Sequence, residues 1–340
     1  LLSRKGVMTN IHRQPIDHPS AWTRASTGGK EGLMFRLKPE HLEAFDALLA
    51  RTRQLKPQDV TRADFDHPAI NPMLAEVLDI IQNGRGAVIV AGIDRRRYSP
   101  EDCERIYWGI GTHWGTAATQ SVKGDRLGRV TKTELGPDNP TDRGYKSDRE
   151  LLLHTDSHQI VGLMCIDKAA EGGWSMLASS VAVFNRIAET RPDLLEACFE
   201  GYYQASKEAS YSDKPVTDDK IPIFSHADGK LSCLFHRLFY RNANKIRGDM
   251  PAKVAEAIEV FTAICDDPGF HVRYMLEPGE MMFINNLTCL HARTDFKDSA
   301  THRRCLLRLW LTPAVSRPMV EAYRKKAKGY GKKPEATAAA

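Results

Sequence analysis

The run Arg304-Cys305-Leu306-Leu307-Arg308-Leu309-Trp310-Leu311 constrains the fold of this chain more than any other segment. On a period of two, Cys305, Leu307, Leu309 and Leu311 share one face, and Arg304, Leu306, Arg308 and Trp310 share the other. A strand apolar on both sides is buried on both sides, so the chain must build a sheet covered above and below. The two arginines then point into an enclosed space. A buried guanidinium without a partner is very costly, and its planar fork suits a carboxylate. An internal Asp or Glu would serve, and so would a bound organic acid; the strand alone does not choose between them.

A second pattern narrows the chemistry. His154-Thr155-Asp156 and His291 bring two imidazoles and a carboxylate from positions 137 residues apart. Such a set can occupy one triangular face of an octahedral metal and leave the other open, the arrangement of non-haem Fe(II) oxygenases. With 12 histidines, one His-x-Asp is expected by chance, and His226-Ala227-Asp228 supplies a second. That copy runs into Asp228-Gly229, a hairpin-turn dipeptide, and reads as a turn. His154 instead follows the apolar Leu151-Leu152-Leu153, which marks a strand end. In a strand, positions i and i+2 share a face, so His154 and Asp156 can reach one ion. His158, four residues on, raises a helical zinc pair. The strand reading and the lack of a Glu beside His154 argue against it.

Hydrophobic periodicity gives the organisation. Leu42, Phe45, Leu48 and Leu49 form a helical stripe within Pro39–Leu55, and Pro72–Gln82 is a second helix. Ala87–Ala91 is a buried strand. Ser99-Pro100-Glu101-Asp102 reads as N-cap, N1 proline and acidic first turn, opening a helix to about Gly111. Val181–Phe199 is helical with a break near Pro192, and Pro251–Cys265 is a further amphipathic helix. Short strands fill most of 130–311. Helices first and many short strands after suit an α+β, mainly β architecture: a double-stranded β-helix, a distorted cupin-like jelly roll flanked by helices. The expected layout is an N-terminal extension over 1–30, one domain over 31–316, and a basic, flexible tail over 317–340. Residues 202–250 form a substrate-covering insertion.

Composition excludes several classes. At 42% hydrophobic and 27% charged, the chain can bury a large core. It has no apolar run long enough to span a membrane. The start, Leu1 to Met8, lacks a continuous h-region, so a cytoplasmic location is expected. Seven scattered cysteines without a C-x-x-C make neither a disulfide framework nor a zinc finger. Residues 317–340 carry seven Lys/Arg and two Glu, which accounts for the whole net charge of +5. A basic surface for nucleic acid is therefore not expected.

Four motifs occur in a telling order: Leu153-His154-Thr155-Asp156, Gly172-Gly173-Trp174-Ser175, Asn285-Asn286 with Leu290-His291-Ala292-Arg293, and Arg303 to Leu311. Together, over about residues 85 to 313, they resemble the TauD/TfdA family of Fe(II)- and 2-oxoglutarate-dependent dioxygenases, clavaminate synthase-like members included. The resemblance implies that His154, Asp156 and His291 are iron ligands and that Arg304 holds the distal carboxylate of 2-oxoglutarate. Ser175 keeps a hydroxyl where the family often has threonine, and Arg308 matches a position that meets an anionic group of the primary substrate. Asp156 argues against halogenation, which in the family goes with a small residue there. The implied cofactors are Fe(II), 2-oxoglutarate and O2. The implied reaction oxidises an unactivated C–H bond of a small carboxylate-bearing metabolite, such as an amino acid derivative, with release of succinate and CO2. Hydroxylation is the expected outcome; desaturation and cyclisation need the same residue types. Gln120, Tyr145 and His158 are expected substrate neighbours by their closeness to the motifs. A non-catalytic binder of the same fold, or a metal oxygenase that does not use 2-oxoglutarate, is the alternative. Oligomeric state stays open, a homo-oligomer included.

Overall fold

A computed structural model describes residues 11–120, 124–132, 147–205 and 214–328. Its helices are α1 (Arg24–Thr27), α2 (Pro39–Thr52), α3 (Asn71–Gln82), α4 (Pro100–Trp114), α5 (Ser180–Thr190), α6 (Leu195–Glu200), α7 (Arg237–Arg247), α8 (Ala252–Asp266) and α9 (Glu321–Lys328). The strands begin with β1 (Met34–Arg36), β2 (Ala87–Ala91), β3 (Thr116–Ala117), β4 (Leu127–Val130) and β5 (Leu151–His154). Next come β6 (Ile160–Asp167), β7 (Glu171–Gly172), β8 (Ser175–Ser179), β9 (Phe224–Ala227) and β10 (Lys230–Cys233). The last are β11 (His271–Tyr274), β12 (Met281–Asn285), β13 (Cys289–Arg293), β14 (Phe296–Lys297) and β15 (Cys305–Thr312).

Local chemistry explains most boundaries. Ser99 Oγ accepts from Asp102 N at 3.1 Å while Asp102 Oδ2 accepts from Ser99 N at 3.1 Å, a reciprocal cap that starts α4 at Pro100. Pro192 breaks the long helical stretch into α5, a single 3₁₀ turn and α6. The His226 motif is a hairpin, as expected. Asp228 and Gly229 sit at φ 46° and 72°, the positive values a tight two-residue turn needs, and join β9 to β10.

Two sheets face each other. The larger runs β1-β2-β12-β6-β15-β3, with β4 also paired to β15; the smaller runs β11-β8-β13-β5. β15 is buried on both faces, and its alternation holds. Leu307, Leu309 and Leu311 join the core under α2, α3 and α4, whereas Leu306 and Trp310 join the core between the sheets. There they meet Leu177, Val272 and Cys289 of the smaller sheet. A third core, around Phe184, Phe224 and Phe261, fills the space between the smaller sheet and helices α5, α6 and α8. The layers are thus helix, sheet, sheet, helix, the flanked double-stranded β-helix expected. Full burial of each β15 leucine is worth about 1.5–3 kcal/mol.

The structure departs from expectation at several points. The strand read through 151–156 stops at His154, so Asp156 lies on a turn. Residues 202–250 hold the β9–β10 hairpin and α7 rather than loops alone. The stretch expected as a basic tail from 317 is packed as far as α9. Tyr323 is 1% exposed, and its Oη reaches Pro222 O at 2.9 Å and Ile223 O at 3.1 Å. In the expected N-terminal extension, Trp22 is buried and donates to Arg85 O at 2.8 Å. No helix among the described residues is long and apolar enough to cross a membrane.

Candidate metal centre

β13 pairs with β5 so that His291 lies opposite His154, and their ring centroids are 4.4 Å apart. Past His154 the chain turns, and the turn is held from two sides. Thr155 N donates to Phe235 O at 2.8 Å, and Phe235 N donates to Thr155 Oγ1 at 2.8 Å. On the other side stands Asn286, fully buried. Its Oδ1 accepts from Asp156 N at 2.9 Å, and its Nδ2 donates to Asp156 O at 2.8 Å and His158 O at 2.9 Å. The carboxylate is thereby returned to the histidines: Asp156 Oδ2 lies 3.6 Å from His291 Nε2 and accepts from Trp310 Nε1 at 2.9 Å. His154 Nδ1 is 2.7 Å from Leu152 O. A carbonyl only accepts, so that nitrogen carries the proton and Nε2 keeps its lone pair for a metal. One ligand atom from each of His154, Asp156 and His291 lies within 4.8 Å of the others. Burial acts to raise the Asp156 carboxyl, but His291 beside it, and then the Arg308 charge, hold it well below the usual carboxylate range.

The three side chains open on a cavity of about 190 Å³ between the sheets, which Ser175, Arg293, Arg304 and Arg308 also line. Arg304 is 6% exposed, its guanidinium lies 5.3 Å from the Phe296 ring, and its Nη1 has no partner among the described residues. No described acid forms an ion pair with it, and burial lowers its pKa to about 10. Gly172 and Gly173, both at positive φ, let the backbone pass beside it; a Cβ at Gly173 would stand 3.3 Å from Arg304 Nε. Arg308, 7% exposed, is held differently. Its Nε donates to Gln120 Oε1 at 2.7 Å, and its guanidinium lies 4.2 Å from the Trp310 ring. His236, Leu238 and Phe239, from the start of α7 and the residue before it, complete the wall.

The family model described as taurine catabolism dioxygenase TauD, TfdA family, matches residues 51–310. The chain belongs to this family. It is an enzyme, an Fe(II)- and 2-oxoglutarate-dependent dioxygenase that uses O2. Among curated proteins, this dioxygenase is 27% identical to FR-33289 synthase of Streptomyces rubellomurinus, over 89% of its own length and 92% of the relative's. It is 28% identical to the taurine hydroxylase-like protein SAT17 of Stachybotrys chartarum, over 89% and 84% of the two chains. Of solved structures, asparagine oxygenase with Fe(II), 2S,3S-3-hydroxyasparagine and succinate is similar at TM-score 0.66 and 15% identity, covering 82% of this chain and 93% of that one. The non-heme iron oxygenase OrfP with Fe and alpha-ketoglutaric acid gives TM-score 0.60 and 14% identity, covering 82% and 94%.

The site of this TauD/TfdA dioxygenase fits iron and a keto acid on its own geometry. Two imidazoles and one carboxylate converge from one side, and the other side is open to the cavity. The unpartnered Nη1 of Arg304 suits a carboxylate. Not every expected neighbour reaches the cavity. Gln120 lies behind Arg308 and also donates from Nε2 to Arg308 O at 2.7 Å and Arg126 O at 2.8 Å. Its burial against Arg308 places it as a support for that residue. His158 stacks on Trp310 at 5.0 Å away from the cavity, where burial lowers its pKa to about 4. Tyr145 lies outside the described residues. Sequence reasoning missed the roles of Asn286, Trp310, Arg293 and His236. Asn286 and Arg293 stand within a motif that carries the resemblance, and the period of two places Trp310 on the face of Arg304 and Arg308.

Proposed function

We propose that this dioxygenase binds iron through His154, Asp156 and His291 and oxidises a C–H bond of a small carboxylate-bearing metabolite such as an amino acid derivative. The observation that carries the reading is that His154, Asp156 and His291 converge on the same cavity as Arg304, whose Nη1 has no partner among the described residues. Iron, when bound, couples the oxidative decarboxylation of 2-oxoglutarate by O2 to oxidation of the substrate, with hydroxylation the expected outcome. The chain's own residues supply position. Arg304 and the Ser175 hydroxyl anchor the far carboxylate of 2-oxoglutarate, while Trp310 holds the Asp156 carboxylate and Asn286 holds the Asp156 main chain. Arg308, steadied by Gln120, meets the substrate's anionic group. The wall of Leu238 and Phe239 in the 202–250 insertion sheds water from the reacting face. The substrate class also draws support from asparagine oxygenase and OrfP, both solved with hydroxylated amino acids. We place the activity in a single domain over 31–316, against which Trp22 and α9 also pack, in the cytoplasm, without nucleic acid or membrane as partner.

The test is an anaerobic titration of metal-free protein with Fe(II) and then 2-oxoglutarate, followed by visible absorption. A charge-transfer band that is absent in His154→Ala is expected. Iron binding without a band would remove 2-oxoglutarate from the proposed site, and no iron binding would remove the metal assignment.

A further inference from the structure

A second cavity, of about 300 Å³, lies outside the metal centre, where the ends of α3, β12 and β15 meet the turn before β10. Gln159, Asn285, Lys230 and Arg317 line it, with Gln82 and Asn83 at the end of α3. No acidic side chain is among its lining residues.

The hydrogen bonds decide which atoms are left for a ligand. Gln159 Oε1 accepts from the main-chain N of Arg317 at 2.8 Å, and Asn285 Oδ1 accepts from the main-chain N of Leu287 at 3.2 Å. A main-chain N–H only donates, so both amide orientations are fixed with the oxygens turned to the protein. Their NH2 groups have no partner among the described residues. Arg317 is anchored by Nε to Ser232 Oγ at 3.1 Å and by Nη2 to Leu231 O at 2.6 Å, which leaves Nη1 without one. Its guanidinium has no carboxylate partner among the described residues, although burial lowers its pKa to about 10. Lys230 is exposed and forms no ion pair among them. His18 registers the same field: burial, then Arg317, then Lys230 hold its pKa below the ordinary value.

Two cations and two amide NH2 groups, with no acid, define an anion site. At about 30 Å³ per water, the cavity holds about ten water volumes, more than a bare phosphate fills. Gln82 and Asn83 spend their NH2 groups on Val315 O and Asp79 Oδ1, so their oxygens remain at the rim as acceptors for hydroxyls.

We propose that this cavity is a second binding site, separate from the metal centre, that takes the phosphate group of a small hydroxylated phosphate monoester. Arg317 and Lys230 carry its charge, Gln159 and Asn285 donate to its oxygens, and Gln82 and Asn83 accept from the alcohol portion.

Calorimetric titration of the metal-free full chain with glycerol 3-phosphate, and separately with inorganic phosphate, tests this. Saturable binding is expected, with the ester the tighter of the two. Lys230→Glu, an exposed substitution, should weaken it about tenfold or more, the usual worth of one charge-assisted contact. Arg304→Ala, at a residue that does not line this cavity, should leave it unchanged. Binding lost in Arg304→Ala and kept in Lys230→Glu would assign the anion to the metal cavity and overturn the proposal. So would absence of saturation with either probe, and inorganic phosphate binding tighter than the ester would overturn the ester assignment.

Discussion

Arg304 and Arg308 stand on one face of one strand, yet they are held in opposite ways. Arg308 spends its Nε on Gln120 and lies against Trp310, a rigid placement suited to recognising a fixed group. Arg304 packs beside Phe296 with Nη1 unpartnered among the described residues, a placement suited to completion by a bound carboxylate. Arg304→Lys keeps the charge and loses the fork. It should raise the KM for 2-oxoglutarate roughly 10- to 100-fold, the worth of one or two charged hydrogen bonds. An unchanged KM would take the co-substrate role from Arg304. Alternation on a period of two makes both arginines legible in the sequence. It does not show that Gln120 supports Arg308, because that contact joins positions 120 and 308 through the sheet. Arg293 is equally hidden. It closes the motif around His291 without a role assigned to it, yet its guanidinium lies 4.7 Å from the Phe296 ring and its Nη1 is buried without a partner among the described residues.

Among the elements, the turn after β5 matters most, since it carries Asp156 outside any ladder. Asn286 replaces the missing sheet bonds with three side-chain bonds of its own. Asn286→Ala should leave the fold intact while weakening Fe(II) binding about 10- to 100-fold, as loss of a support behind a metal ligand does. Equilibrium titration with the metal checks this, and unaltered affinity would show that the turn holds its shape without the amide. The strand end at His154 is legible from its apolar run; the turn is not, because its geometry is dictated by Asn286 and Phe235, far away in the chain. The same limit applies to α9. Its basic composition reads as a solvated tail, and the side chain that docks it is Tyr323. Removing that hydroxyl in Tyr323→Phe leaves the Pro222 carbonyl short of a donor, while the Ile223 carbonyl keeps the Leu234 N–H at 3.1 Å. It should lower stability by about 1–2 kcal/mol, read from the urea midpoint. No shift in the midpoint would mean that α9 is held by its other contacts, apolar packing and the Lys325–Asp219 ion pair at 2.7 Å.

At the scale of the molecule, the cavity sits between two sheets that differ in security. The larger is closed in by β15, flanked on both sides and buried on both faces. The smaller ends at β5, a four-residue margin whose ladder partner is β13 and whose Leu152 is 38% exposed. His154 is the last residue of that margin, and His291 is its neighbour across the ladder. An ion gripped by both therefore rivets the loose border of the sheet to its interior. At 100 times its dissociation constant, such an ion would stabilise the bound state by about 2.7 kcal/mol. Amides of Leu151–His154 should then exchange about 100-fold more slowly in the metal-loaded protein than in the metal-free one. Equal exchange rates would mean that the border is secured by its ladder alone. If the rivet holds, chelation frays the fold at the very seam where chemistry occurs, and loss of iron and the first step of unfolding become one event.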